Sequence, residues 1–107
     1  MSSFNYQMNK KMNNIDALIT PTVPVIAPLI SESSSPNTYE SNSMGRFTGV
    51  FNLTGQPSIS VPCGFTKNNL PIGMMLTGKI NNDNKLLNIA IDWQNETEFH
   101  TKRPILN

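Results

Sequence analysis

Nucleophilic catalysis needs a hydroxyl or thiol within hydrogen-bond reach of a base that a third group orients. This chain offers one thiol, Cys63, one imidazole, His100, and a serine cluster at Ser33–Ser35. Cys63 follows Val61-Pro62 with no histidine or lysine beside it, which predicts a buried, inert thiol. His100 stands in a polar stretch near the end of the chain. The Ser33–Ser35 run lacks the glycines that let main-chain amides gather around an oxyanion, so it reads as a linker. Glu32, Glu40, Asp83, Asp92, Glu96 and Glu98 fall in loops, a cap position or a solvent-facing helix, and none makes an evident acid–base pair. With one cysteine and one histidine there is no Cys/His spacing for a metal. The sequence therefore predicts no catalytic residue, no metal ligand and no cofactor.

Charge and composition exclude other classes. Lys+Arg 8 against Asp+Glu 7 gives a net charge of +1, with the basic residues scattered between Lys10 and Arg103. That is no footprint for nucleic acid or an anionic membrane. The opening MSSFNYQMNKKMNN lacks the apolar stretch of a secretory signal, and no run approaches the roughly 20 apolar residues that span a bilayer. A single unpaired cysteine suits a reducing compartment. The expected location is cytoplasmic, and the expected product is one soluble, partial domain.

The elements that would position any site follow from periodicity. Phe4, Met8, Met12 and Ile15 recur at helical spacing, making residues 1–14 a helix or tail. Ile15–Thr20 reads as a short buried strand stopped by Pro21. Ser31–Pro36 is low in complexity and suits a surface connection. Ser43–Thr54 has Met44, Phe47, Val50, Phe51 and Thr54 on one helical side, with Gly55 as C-cap and Pro57 as stop. Ser58–Cys63 alternates small polar and apolar residues at the strand period, and Leu70–Gly78 is apolar again beyond the polar turn Lys67-Asn68-Asn69. A hairpin is expected, with Pro71 and Gly73 at an edge or bulge. Asn82 or Asp83 should cap a helix reaching about Glu96, with Leu86, Leu87, Ala90, Ile91 and Trp93 as its apolar face. Residues 97–107 have no period and read as a tail. The order is α/β, with 15–96 as core, and its three strands are too few for a sheet covered on both faces.

Three ordered stretches carry a resemblance. They are Asp16-Ala17-Leu18-Ile19-Thr20-Pro21-Thr22-Val23-Pro24, then the run from Arg46-Phe47-Thr48-Gly49 through Asn52-Leu53-Thr54-Gly55-Gln56-Pro57-Ser58-Ile59-Ser60-Val61-Pro62-Cys63-Gly64, then Leu70-Pro71-Ile72-Gly73-Met74-Met75-Leu76. Together with Asp83–Ala90 they resemble the carboxy-terminal part of the amidase-signature family of amide hydrolases. The resemblance implies a fragment of that fold: a partial mixed sheet with flanking helices, completing the sheet of a larger enzyme and one side of its substrate pocket. The family works through a lysine and two serines in an upstream glycine- and serine-rich signature, and no stretch here resembles it. In the family's tRNA amidotransferase members, an aspartate seven residues before the Asn-Leu pair helps hold the substrate amino acid. That position is Gly45 here, which favours a general amidase.

The substrate-pocket candidates are Arg46, Phe47, Phe51 and Asn52. Arg46 is the one charge inside the strongest motif and has the bidentate geometry to grip a carboxylate. Phe47 and Phe51 offer apolar area to core or substrate, with core packing favoured. The leading expectation is a C-terminal segment of a carboxamide hydrolase, inert alone, whose partner is the missing N-terminal amidase portion. The rivals are a non-catalytic interaction module, a decayed fragment, or self-association through open sheet edges. A free-standing ligand-binding protein lacks a convergent polar cluster in the sequence.

Overall fold

The computed structural model describes residues 3–33 and 44–106. It opens with α1 (Ser3–Lys11), which tightens into a 3-10 turn at Met12–Asn14. Only one member of the expected stripe is fully used: Met12 is 2% exposed, whereas Phe4 and Ile15 remain largely exposed.

β1 (Leu18–Pro21) ends at Pro21 as the sequence suggests but starts later, and it is not the expected buried strand, since Ile19 is largely exposed. It is an edge strand, where a missing N–H costs no ladder bond. After it, α2 (Ile30–Ser33) is a single helical turn in the stretch read as the start of a surface connection. Ser34–Pro36, Glu40 and Ser43 lie outside the described residues.

α3 (Thr48–Thr54) is shorter than the expected Ser43–Thr54, because residues 44–47 form a turn tied by the Gly49 N–H donating to the Gly45 carbonyl at 2.9 Å. Two glycines in five residues weaken helix propensity there. The end is as expected: Gly55 takes φ 76°, a left-handed value glycine adopts freely, and its N–H donates to the Phe51 carbonyl.

β2 (Ser58–Phe65) and β3 (Pro71–Thr77) form the expected hairpin. The loop closes through Thr66, whose N–H donates to the Leu70 carbonyl and whose hydroxyl accepts from the Leu70 N–H. The sheet order is β1-β3-β2 and every pairing is antiparallel. The result is the expected α/β fragment with flanking helices, its described strands all antiparallel. One expectation is corrected here: β3 is central, not an edge. Pro71 is tolerated as its first residue, and the register shift falls on β2 between Pro62 and Gly64.

Register sorts the side chains onto two faces. Ile19, Leu76 and Ile59 align across the sheet, as do Pro21, Met74 and Val61. On this face lies α4 (Asp83–Glu96), whose Leu86 and Ala90 cluster with Val61 and Leu76 while Ile89 and Trp93 pack alongside. Leu87 and Ile91, expected on the apolar face, are 50% and 53% exposed and point away from the core. No side chain caps this helix, contrary to expectation; the Asn82 carbonyl instead accepts from the Leu86 N–H as the first helical bond.

Two ties hold α4 down. The Trp93 indole N–H donates to the Pro62 carbonyl at 2.9 Å, next to the register shift in β2. Lys85 pairs with Asp16 at 2.6 Å, joining α4 to the segment leading into β1. Residues 97–107 are not all tail: Phe99–Thr101 form a 3-10 turn whose Phe99 ring stacks on Trp93 and tilts against Phe65.

Candidate functional site

The opposite face of the sheet is different in kind. Leu18, Thr77 and Ser58 align on it, then Thr20, Met75 and Ser60, and Thr22 follows beside Gly73. Small hydroxyl side chains thus alternate with apolar ones that serve the α4 face. The Ser58 and Thr77 hydroxyls are 2.8 Å apart. The Thr22 and Ser60 hydroxyls are 2.6 Å apart and bridge the two edge strands over the central one. They meet because β3 carries glycine at the crossing point: a Cβ on Gly73 would lie 2.9 Å from Ser60 Oγ and 3.0 Å from Thr22 Oγ1.

α3 stands beside this face and leaves a cleft of about 410 Å³. Thr48, Phe51 and Asn52 of α3 form one wall, and Ser58 and Ser60 of β2, with Met75 and Thr22, form the floor. Gln56, in the turn between helix and strand, closes one end. Its Nε2 donates to the Gly78 carbonyl at 3.0 Å, while its Oε1 is buried without a partner. No charged side chain lines the cleft. A second groove of about 370 Å³ is apolar, running along Pro21, Val23, Val25 and Ile26 to Met44 and Ile72.

Of the four candidates, Phe51 and Asn52 reach the cleft, and Phe51 is 7% exposed, so it is chiefly a packed wall. Arg46 and Phe47 belong to the turn ahead of α3; neither lines the cleft, and Arg46 is exposed. Sequence reasoning misses Thr22, Gln56, Ser58 and Ser60 as site residues. Their one signal is the period of two shared by Thr20 and Thr22 and by Ser58 and Ser60.

The geometry supplies no activated nucleophile among the described residues. The Ser58 and Ser60 hydroxyls bond to threonine hydroxyls, which are not bases at neutral pH. Cys63, expected to be buried, is half-buried, and its thiol donates to the Ile72 carbonyl at 3.6 Å. His100 Nδ1 is buried without a partner. The one shifted carboxylate is Asp16, held below its ordinary range by the Lys85 hydrogen bond and charge, and it is fully exposed. No group of three or more His, Cys, Asp or Glu could hold a metal among the described residues, and no described helix is long and apolar enough to cross a membrane.

The chain is 40% identical over 97 residues to a glutamyl-tRNA(Gln) amidotransferase subunit of Methanosarcina mazei, covering 90% of itself and 20% of that protein. It superposes on the corresponding subunit from Thermotoga maritima with a TM-score of 0.70 at 43% identity, covering 80% of itself and 18% of that chain. On 6-aminohexanoate cyclic dimer hydrolase the TM-score is 0.84 at 26% identity, covering 94% and 23%. The chain spans about a fifth of the length of the relatives it matches. Residues 2–87 match the Amidase family, and the chain belongs to that family.

Proposed function

We propose that this chain is the C-terminal segment of a carboxamide hydrolase, completing the sheet and one side of the substrate pocket while the Lys-Ser-Ser machinery lies on other polypeptide. The observation that carries the reading is that nearly all of the chain matches about a fifth of its relatives, while the cleft serines Ser58 and Ser60 bond to threonine hydroxyls and to no base. Residues 15–96 are then the α/β core of a partial domain. Phe51 and Asn52 contribute a pocket wall, and Arg46 and Phe47 join them at the seam with the missing part. The relatives' names favour an amidotransferase-type substrate; Gly45, with no side chain to hold an amino acid, favours a simpler amide. The lone thiol suits the cytoplasm.

Mixing the chain with the Thermotoga maritima protein cut back by the matched 18%, and following ammonia release from simple carboxamides, tests this. Turnover is expected only from the mixture. Clear turnover by the chain alone refutes the reading. The open edges of β1 and β2 support a second reading, a non-catalytic module that pairs with another chain. Stable binding without restored turnover would favour it.

A further inference from the structure

We draw no further inference here: the strongest candidate, the apolar groove that runs from Pro21 past Val23 and Ile26 to Met44 and Ile72, carries nothing because nothing in the structure shows what covers it.

Discussion

Gly73→Ala should change sign with its surroundings. Glycine inside a strand costs roughly 0.5–1 kcal/mol relative to alanine, so in an empty site the substitution stabilises by that much. At Gly73 the site is occupied: the new Cβ would lie 2.9 Å from Ser60 Oγ and 3.0 Å from Thr22 Oγ1, and both oxygens must move. Their 2.6 Å hydrogen bond is then lost, at about 1 kcal/mol. The net effect in the natural chain is a loss of up to about 1 kcal/mol, the crowding adding to the broken bond. In a Thr22→Ala, Ser60→Ala background the nearest remaining atom is the residue-22 Cβ at 3.5 Å, an ordinary contact, and the full backbone gain of about 0.5–1 kcal/mol returns. The swing between backgrounds is about 1 kcal/mol or more, a coupling a mutant cycle resolves. Urea unfolding followed by fluorescence of Trp93, the only tryptophan and present in all four proteins, measures it. With a slope of about 1 kcal/mol per molar for a small protein, the midpoint shifts should differ by about 1 M. Equal shifts in both backgrounds would refute the idea that the hydroxyl bridge is why glycine stands there.

Trp93→Phe removes the bond to the Pro62 carbonyl and part of the stacking on Phe99; it should cost about 1–2 kcal/mol, lowering the melting temperature by roughly 5–10 °C by circular dichroism. A drop below about 2 °C would mean that water serves that carbonyl equally well. The Asp16–Lys85 pair gives a pH signature. Because the folded-state pKa of Asp16 is depressed, its contribution is present above the ordinary carboxylate pKa and fades as pH falls through the lowered folded value. The advantage of the natural chain over Asp16→Asn in urea midpoint should therefore exist at about pH 7, shrink with salt, and vanish by about pH 2. An advantage that persists in acid would assign the effect to something other than the ion pair.

How far the sequence can be read depends on whether the decisive contact is local. Period-two alternation places the β2 strand and its hairpin, and the helix ending at Glu96 is legible to its last residue, because neighbours in sequence set those patterns. The central position of β3 is not legible: Pro71 and Gly73 look like edge residues until Thr22, far away in the chain, is seen reaching Ser60 over Gly73. Leu87 and Ile91 fit the helical stripe as well as Leu86 and Ala90 do, and only the position of the sheet chooses between them. Phe99 sits in a stretch without period and is held by aromatic contacts to Phe65 and Trp93. At the site, Phe51 and Asn52 are legible through the motif that contains them, whereas Thr22 and Ser60 belong to different motifs and meet only in the folded sheet.

The chain has structure without an interior of ordinary size. Its radius of gyration is 15.9 Å, against about 13 Å for a compact domain of this length. Its shortest dimension is 17 Å, room for a sheet and one helical layer spaced about 10 Å apart and little more. One face of the sheet therefore spends its strand-period residues on a core under α4, and the other presents hydroxyls. A face meant for water would accept long charged side chains, which resist association. This one has serine and threonine held to one another by short bonds, a glycine where a side chain would break them, and unpaired oxygens at Thr20 and Gln56. Such a surface is uncharged and already ordered, so covering it costs little side-chain entropy.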